Sequence, residues 1–341
     1  MSISRHPYTR DFALAPDRAR LGPIGLGGWA LGGDVQAGPI RAGWPGTDEG
    51  ELVRAIHRSL ELGVTFFDTA DVYGAGRSER LLGEALGGRR RDVVIATKFG
   101  GTFDEETATL RLGHFAEPAG VRRACEASLR RLSTDYIDLY QFHWSDCPRD
   151  AALDVREALE DLVGQGKILT YGWSTNDPAN AALFAEGPNC KAVQHTLNVV
   201  QDHPAMLALC KERSLISVCR SPLGMGLLTG KYTEDSILPP DDVRALGLPW
   251  NVYFDERRPS ATWLETLESI RDVLTSNGRT LAQGALAWIW ARSPQTVPIP
   301  GFRSVEQVEE NVSALEFGPL DASQVEAIDE LVRREDAQPS P

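Results

Sequence analysis

Four side chains with acid–base chemistry lie at the ends of apolar segments of the chain. Asp68, Lys98 and His143 each end such a segment, and Tyr73 follows Asp68 in a glycine-rich turn. Continuous apolar runs bounded by polar turns are typical of buried parallel strands. The carboxyl ends of parallel strands meet at one edge of a sheet, which is where active sites of α/β folds collect. We therefore expect the four side chains to lie close together.

These residue types suit the protonation of a carbonyl oxygen while a hydride arrives at the carbon. A tyrosine is a weak acid with an ordinary pKa of about 10. A nearby ammonium favours the phenolate and makes the phenol a better proton donor, and Lys98 could act in this way on Tyr73. Asp68 would hold the lysine in place, and His143 would hydrogen-bond the substrate oxygen.

Each residue alone also has an ordinary structural explanation. An aspartate at a strand end, such as Asp68, often caps the helix that follows. A buried pair of Lys98 and Asp68 can be purely structural, and His143 beside Trp144 fits a histidine of the core. The four residues together, in the same position relative to successive strands, favour the chemical interpretation.

Eight apolar segments are predicted to be strands, and helical segments separate nearly all of them. The predicted strands are residues 24–28, 64–68, 92–98, 137–143, 168–172, 191–195, 215–219 and 296–299. A first helix is expected between Asp48 and Gly63, and the others at residues 78–86, 118–131, 151–163, 177–185, 204–213, 261–276, 280–291, 304–313 and about 321–335. Residues 31–43, 100–116 and 223–260 are expected to be loops or irregular.

Alternating strands and helices of this number predict an α/β fold, a (β/α)8 TIM barrel. The chain is expected to form a single domain over residues 1–341, with its core at about 21–335. It would carry a long loop after strand seven and additional C-terminal helices. A doubly wound sheet is the alternative. It would need a phosphate-binding turn after the first strand.

Residues 25–30 match the dinucleotide fingerprint G-x-G-x-x-A of such doubly wound folds. The fingerprint requires a helix that begins at its third glycine position. The residues after Ala30 are instead rich in glycine and read as a loop. We therefore interpret these glycines as closely packed strand residues, and the barrel is favoured.

Composition narrows the class of protein. The 341 residues are 42% hydrophobic and 24% charged, which allows a large core. A net charge of −13 argues against nucleic acid or an anionic membrane as a partner. The five cysteines never have C-x-x-C spacing, no apolar stretch is long enough to span a membrane, and the N-terminus lacks the apolar core of a signal peptide. We expect a cytoplasmic protein that acts on a small molecule, without a metal site. The sequence leaves a homo-oligomer possible.

Several motifs occur in the order of a known family. They read Phe-Asp-Thr-Ala-Asp-Val-Tyr-Gly at 67–74, Ala-Thr-Lys at 96–98, Leu-Tyr-Gln-Phe-His-Trp at 139–144, Gly-Trp-Ser at 172–174, Ser-Pro-Leu-Gly-Met-Gly-Leu-Leu-Thr-Gly-Lys-Tyr at 221–232 and Ile-Pro-Gly-Phe-Arg at 299–303. With these motifs, nearly the whole chain resembles the aldo-keto reductases. The run 221–232 is most similar to the branch of bacterial reductases and potassium-channel β subunits.

The resemblance implies a catalytic tetrad of Asp68, Tyr73, Lys98 and His143, with Tyr73 as the acid. A nicotinamide cofactor would donate the hydride, NADP(H) in most of the family, with NAD(H) possible. The expected activity is reduction of an aldehyde or ketone to an alcohol, or the reverse reaction on a sugar or alcohol. The alternative is an NADPH-binding regulatory or redox-sensing subunit of the channel β-subunit type, with little turnover.

The resemblance also implies which residues bind the cofactor and the substrate. Trp29, Tyr73, His143 and Trp144 would shape the substrate pocket. In the loop 223–260, Trp250, Tyr253 and Phe254 would form either a lid or simple packing. The cofactor-binding set is Gly28, Trp29, Asp68, Ser174, Thr175, Gln194, Arg220, Ser221, Pro222, Leu223, Gly224, Gly226, Lys231, Gly301, Arg303, Gln307, Glu310 and Asn311.

Three cofactor positions depart from the usual family pattern. Thr175 stands where an asparagine commonly follows the serine. Arg220 stands where an aromatic ring commonly stacks on the nicotinamide, although a planar guanidinium can also stack. Gln307 replaces a common second cation, which leaves Arg303 as the candidate for the 2′-phosphate. On this basis NADPH is preferred to NADH.

Overall fold

A sheet of eight parallel strands is the centre of the computed structural model, which describes residues 12–14, 18–38 and 40–332. The strands are, in chain order, β1 (Gly25–Gly27), β2 (Phe66–Asp68), β3 (Val94–Phe99), β4 (Ile137–Phe142), β5 (Ile168–Ser174), β6 (Cys190–Thr196), β7 (Ile216–Arg220) and β8 (Thr296–Pro298). Each strand pairs with the next one in the chain. All eight predicted strands are confirmed, with ends that differ by at most two residues.

The sheet closes between β1 and the residues that follow β8. The Gly27 N–H donates to the carbonyl oxygen of Pro300 at 2.9 Å, and Gly27 also pairs in parallel with Gly301. A Cβ atom on Gly27 would lie 2.8 Å from the carbonyl oxygen of Ile299, so glycine is required for this close approach. The closed sheet confirms the predicted (β/α)8 barrel.

Helices surround the barrel and return the chain from each strand to the next. Among the described residues they are α1 (Glu49–Glu61), α2 (Arg77–Leu86), α3 (Pro118–Arg131), α4 (Arg149–Gly164), α5 (Pro178–Phe184), α6 (Pro204–Arg213), α7 (Ala261–Leu274), α8 (Leu281–Arg292), α9 (Val305–Ser313) and α10 (Ala322–Leu331). Aspartate side chains cap two of these helices: Asp48 accepts from the Glu51 N–H before α1, and Asp177 accepts from the Ala179 N–H before α5. The last predicted helix ends earlier than expected, at Leu331, and residues 333–335 lie outside the described part of the chain.

The apolar core has two parts, one inside the barrel and one between the barrel and its helices. Phe66, Val94, Leu139, Val218 and Val297 are fully buried in the interior. A two-stranded hairpin, Phe12–Ala13 with Arg20–Leu21, brings further apolar side chains to this interior cluster. The apolar interior makes the barrel a packed core rather than a pore, so the chemistry must lie at its rim.

Two segments predicted to be loops are strands, and that part of the prediction is wrong. Asp34–Ala37, Ile40–Gly43, Gly101–Asp104 and Thr109–His114 form a four-stranded sheet beside the barrel, called the side sheet below. The two hairpins join through the parallel pairing of Gln36 with Thr109 and of Ala37 with Leu110. Their stability therefore depends on contacts distant in sequence, which local patterns of glycine and threonine do not reveal.

The long segment after β7 is largely irregular, as expected. It contains short 3-10 helices at Gly224–Thr229 and Val243–Ala245 and a small hairpin, Phe254–Asp255 with Arg258–Pro259. In the described part of the chain, no helix is both long and apolar enough to cross a membrane. The five cysteines all lie there, and each is buried and free of a disulfide.

The closure of the barrel gives a prediction about stability. In Gly27→Ala, the added methyl group meets the Ile299 carbonyl oxygen, so strands β1 and β8 must separate. We expect the free energy of unfolding in urea to fall by about 1–3 kcal/mol. Gly88→Ala is the matched control, because a Cβ there meets nothing within 4 Å. Equal stability of the two variants would contradict the role of Gly27 in closure.

Candidate active site

Lys98 is the centre of a buried cluster at the carboxyl end of the barrel. Its Nζ donates to Asp68 Oδ2 at 2.6 Å, to the carbonyl oxygen of Thr69 at 2.8 Å and to the Tyr73 hydroxyl at 3.3 Å. The Lys98 side chain is 0% exposed and that of Asp68 is 3% exposed. Strands β2 and β3 thus bring together three of the four residues selected from the sequence.

The second oxygen of Asp68 is also fully engaged. Asp68 Oδ1 accepts from Gln194 Nε2 at 2.7 Å and from Gln141 Nε2 at 3.2 Å. Gln141 is buried in β4 and was not selected from the sequence. Its only sequence signal was an amide inside a buried strand that also contains Asp138. With these bonds, one carboxylate joins residues from β2, β3, β4 and β6.

Burial and the Lys98 charge act in opposite directions on the Tyr73 hydroxyl. Burial raises the pKa of Tyr73, and the nearby Lys98 ammonium lowers it, as the sequence suggested, without overcoming burial. Burial also opposes the charge of Lys98, but Asp68 and Tyr73 outweigh it, so the pKa of Lys98 is raised. At neutral pH the cluster therefore holds a protonated phenol beside an ammonium ion.

His143 follows β4 directly and faces the same cluster. Its ring centroid lies 6.2 Å from that of Tyr73, with the two planes at 82°. Burial, together with the charges of Lys98 and Arg220, lowers the pKa of His143 well below its usual value. The imidazole is therefore neutral at neutral pH and keeps one N–H that can donate a hydrogen bond.

The turn that carries Tyr73 is held by backbone contacts on both sides. The Asp71 N–H donates to the Lys98 carbonyl at 3.2 Å, and the Ser78 hydroxyl donates to the Gly28 carbonyl at 2.8 Å. Gly74 has φ 61°, and a Cβ there would lie 2.2 Å from the Gly32 carbonyl oxygen. These contacts hold the turn against β3 and against the residues that follow β1. The turn therefore holds Tyr73 in a fixed position.

Aromatic rings form one wall of the site. The Trp29 ring stacks on Tyr73 at 5.9 Å between centroids, and Trp44 meets Trp29 edge-on at 5.5 Å. Trp250 lies 5.8 Å from Trp29 and is 44% exposed. We name Trp29, Trp44, Trp250 and Tyr73 the aromatic wall. Trp44 was missed in the sequence because it lies in a segment of glycine and proline.

The predicted lid residues divide into two groups. Tyr253 and Phe254 are buried, and the Tyr253 hydroxyl accepts from Asn198 and donates to Gln201. This burial favours simple packing of Tyr253 and Phe254 over a role as a lid. Trp250 alone is exposed at the mouth of the site. Across the mouth, Trp144 stacks on His114 of the side sheet at 5.1 Å.

The strand ends of β5, β6 and β7 bring the expected nicotinamide residues together. Ser174 and Gln194 are register partners, and both are buried. Arg220 Nη2 donates to Asn176 Oδ1 at 3.1 Å, and Arg220 Nε is buried without a partner. The Thr175 hydroxyl donates to the Ser145 carbonyl at 3.0 Å, so this residue holds the local backbone.

Beyond Arg220, the backbone takes an unusual path. Ser221, Gly224, Met225 and Gly226 all have positive φ, between 51° and 96°. We name residues 221–226 the anion loop, after the expectation that they bind the cofactor. Within the loop, the Gly224 and Gly226 N–H groups donate to the Ser221 and Leu223 carbonyls, both at 2.9 Å. A Cβ on Gly226 would lie 3.3 Å from Lys231 Nζ, so the lysine lies beside this loop.

Arg303 marks the far end of the same face. Its Nη2 donates to the Pro45 carbonyl at 2.7 Å, and its backbone N–H donates to Gln307 Oε1 at 2.7 Å. Glu310 and Asn311 follow on α9, with Asn311 buried. Burial, with the charges of Arg244 and Arg303, lowers the pKa of Lys231, so Arg303 lies close enough to act on that lysine.

The comparison with known families decides the classification. The model of the aldo/keto reductase family matches residues 23–333. The chain belongs to this family. An aldo-keto reductase of Schizosaccharomyces pombe, "yakc [NADP(+)]", is 32% identical over 291 residues, which cover 82% of this chain and 82% of that protein.

Solved aldo-keto reductases share the architecture. The holo form of AKR11C1 from Bacillus halodurans has a TM-score of 0.76 and 27% identity, covering 97% of this chain and 98% of that one. An aldo/keto reductase from Klebsiella pneumoniae, in complex with NADP and acetate, has a TM-score of 0.66 and 28% identity, covering 94% and 95%. The resemblance to aldo-keto reductases, including bacterial members, is confirmed.

The buried ion pair of this aldo-keto reductase gives a second prediction. Asp68→Asn leaves the Lys98 ammonium buried without its counter-ion. We expect the free energy of unfolding in urea to fall by about 3–5 kcal/mol. The double variant Asp68→Asn with Lys98→Met removes both charges and should recover part of that loss. A double variant no more stable than Asp68→Asn would contradict the assignment of an ion pair.

Proposed function

We propose that the protein is an NADP(H)-dependent oxidoreductase that reduces an aldehyde or ketone to an alcohol, or catalyses the reverse reaction on a sugar or alcohol. One observation carries the proposal. A protonated phenol, Tyr73, lies 3.3 Å from the buried Lys98 ammonium, and Asp68 holds that ammonium at 2.6 Å. This arrangement supplies a proton at a fixed position and stabilises the anion left behind.

The site residues divide the chemistry among them. The cofactor, when bound, supplies a hydride to the carbonyl carbon. The Tyr73 hydroxyl donates its proton to the carbonyl oxygen, and the Lys98 charge stabilises the developing phenolate. The neutral His143 donates an N–H to the same oxygen and orients the carbonyl group. Asp68 keeps Lys98 charged and in place, so its role is to position the lysine.

The described residues fit a nicotinamide dinucleotide. Arg220 has a buried Nε without a partner and a planar guanidinium beside Tyr73, which suits stacking on the nicotinamide ring. Ser174 and Gln194 offer polar groups for its carboxamide. The anion loop and Lys231 would hold the pyrophosphate. The remaining cofactor residues are Gly28, Trp29, Asp68, Thr175, Gly301, Arg303, Gln307, Glu310 and Asn311.

We infer a preference for NADPH over NADH from the adenosine end of this face. Arg303 lies beside the start of α9 and has donors beyond the one that binds Pro45. A bidentate guanidinium matches a phosphate group, whereas a ribose hydroxyl needs no cation. Gln307 is neutral and bonded to the Arg303 backbone, which leaves Arg303 as the cation for the 2′-phosphate.

Substrate recognition is assigned to the mouth of the barrel. Trp29, Tyr73, His143 and Trp144 surround the place where the carbonyl group must lie. Trp44 and Trp250 extend the same wall outward. We also propose that the chain is a single barrel domain and that it acts in a reducing, cytoplasmic setting, in line with its five buried free thiols.

The role of Tyr73 leads to a prediction about turnover. Tyr73→Phe keeps the ring that stacks on Trp29 but removes the proton donor. We expect kcat with NADPH and a small aldehyde to fall by about 100-fold or more. The affinity for NADPH, followed by fluorescence titration, should change by less than about twofold. Turnover equal to that of the wild type would disprove the role of Tyr73 as acid.

Arg303 leads to a prediction about cofactor selectivity. Arg303→Ala should weaken NADPH binding about ten- to 100-fold, since a charged hydrogen-bond pair to the 2′-phosphate is lost. NADH binding should weaken much less. Arg122→Ala, an exposed arginine of α3 paired with Asp161 of α4, is the control and should affect neither cofactor. Equal losses for NADPH and NADH on Arg303→Ala would rule out the 2′-phosphate assignment.

A further inference from the structure

Glu79 is a buried carboxylate that the proposed chemistry does not use. It lies in the first turn of α2 and is 0% exposed. Its Oε1 accepts from the Thr97 hydroxyl and its Oε2 accepts from Arg131 Nε, both at 2.6 Å. Thr97 is in β3, and Arg131 is the last residue of α3. This one carboxylate therefore joins a barrel strand to two of the helices outside it.

Thr97 places this junction directly behind Lys98. The two residues are neighbours in β3, and both are 0% exposed. Successive side chains of a strand point to opposite faces of the sheet. Lys98 accordingly bonds Asp68 at the end of the barrel, while Thr97 faces the helices and bonds Glu79. The bond to Glu79 therefore fixes β3 at the position that carries Lys98.

The other side of the junction supports the turn that carries Tyr73. The Ser78 N–H, in the first turn of α2, donates to the Tyr73 carbonyl oxygen at 3.1 Å. Gly76 lies between them with φ 88°, and a Cβ there would lie 2.6 Å from Arg131 Cδ. The stem of Arg131 therefore packs directly against the turn.

The Arg131 guanidinium is itself held by several elements. Its Nη1 donates to Glu105 Oε2 at 3.0 Å, and its Nη2 donates to the Ser128 hydroxyl at 3.2 Å. Its Cζ lies 5.6 Å from the Phe103 ring centroid. Phe103 and Glu105 belong to the hairpin of the side sheet that follows β3. Since all three guanidinium nitrogens have partners, Arg131 is suited to hold its neighbours rather than to bind a ligand.

A second buried carboxyl group, Asp71, lies close enough to this pair to be affected by its charges. Asp71 is 2% exposed, and its Oδ1 has no hydrogen-bond partner among the described residues. Burial, and then the Glu79 charge, raise the pKa of Asp71 well above its usual value, while the Arg131 charge lowers it. Loss of the Glu79 charge would leave Asp71, two residues before Tyr73, as a buried carboxyl group that can pair with Arg131.

We propose that Glu79 and Arg131 are positioning residues for the proton donor. Their ion pair fixes β3 behind Lys98 and the turn of Tyr73 relative to each other. It thereby sets the contact between the Tyr73 hydroxyl and Lys98 Nζ. The proposal rests on the proposed function in one respect, namely that Tyr73 is the acid. The contact itself needs neither cofactor nor substrate and can be observed without turnover.

Glu79→Gln is the main test variant, because glutamine keeps the shape of the side chain but removes its charge. We expect kcat with NADPH and a small aldehyde to fall about ten- to 100-fold, since the Tyr73 hydroxyl moves relative to Lys98. The KM for the aldehyde and the dissociation constant for NADPH should change by less than about twofold. A kcat equal to that of the wild type would overturn the proposal.

Thr97→Val is a milder variant that keeps the test decisive if Glu79→Gln does not fold. Valine has nearly the shape of threonine but lacks the hydroxyl that bonds Glu79, and the charges of Glu79 and Arg131 stay in place. We expect kcat to fall about threefold or more, again with KM nearly unchanged. An unchanged kcat would count against the proposal in the same way.

Asp138→Asn is the matched control. Asp138 is 1% exposed near the amino end of β4, pairs with Arg90 at 2.7 Å and accepts from the Ile95 N–H at 2.9 Å. It is thus also a buried carboxylate that joins a barrel strand to an arginine outside the barrel. The variant should lower stability to urea without lowering kcat. Equal losses of kcat in Asp138→Asn and Glu79→Gln would show that lost stability alone explains the effect.

Carbon-13 NMR of the Tyr73 ring tests the contact without turnover. The protein has seven tyrosines, and with tyrosine labelled at Cζ the Tyr73 resonance is the one absent from Tyr73→Phe. This resonance should shift in Glu79→Gln, because the hydrogen bond between the hydroxyl and Lys98 changes, and stay in place in Asp138→Asn. An unshifted resonance in Glu79→Gln would overturn the proposal, whether or not the wild type reduces any carbonyl compound. A shifted resonance in a protein without turnover would overturn the proposed function instead.

The Tyr73→Phe background tests whether Glu79 acts through the Tyr73 hydroxyl. If it does, adding Glu79→Gln to Tyr73→Phe should cost about twofold or less in the residual rate, measured in single turnovers with excess protein. An equal loss in both backgrounds would show that Glu79 does not act through that hydroxyl.

Discussion

The pairing of Lys98 with Asp68 is the interaction on which the site depends. An ammonium ion that is 0% exposed is stable only with a counter-ion and with acceptors for its other protons. Asp68, the Thr69 carbonyl and the Tyr73 hydroxyl supply them. These groups come from β2, from β3 and from the turn after β2. The Lys98 charge can therefore be buried only when the barrel brings the carboxyl ends of these two strands side by side.

The same constraint orders the surroundings. Asp68 has a second oxygen to satisfy, and Gln141 and Gln194 donate to it from β4 and β6. The bond from Gln194 fixes the Gln194 side chain beside its register partner Ser174, where the nicotinamide is proposed to bind. Burial keeps the Tyr73 proton in place, and the Lys98 charge makes its loss less costly. The contacts that stabilise the buried Lys98 charge are therefore the same contacts that position the Tyr73 proton donor.

A net charge of −13 creates a separate problem for an anionic cofactor. The proposed solution is local. We propose that Lys231, Arg220 and Arg303 bind the cofactor, and that the anion loop beside Lys231 binds its pyrophosphate.

The sequence predicted the features that depend on local pattern. Continuous apolar runs located every barrel strand, and the strand-end positions of Asp68, Lys98 and His143 located the candidate site. Features that depend on distant contacts were missed. The side sheet is held by pairing of Gln36 with Thr109, and the contact of Trp44 with Trp29 joins residues distant in sequence. Gln141 was missed because an amide in a strand carries no local signal of its partner.

We propose that this protein transfers a hydride from NADPH to a carbonyl carbon, with repeated turnover. It can be tested with NADPH that carries deuterium at both C4 positions, incubated with the purified protein and an excess of aldehydes and ketones. Mass spectrometry of the products should show one deuterium on the alcohol carbon, and more alcohol molecules than protein subunits. Alcohol without deuterium, or no more than one alcohol per subunit with every carbonyl tried, would contradict repeated hydride transfer from NADPH.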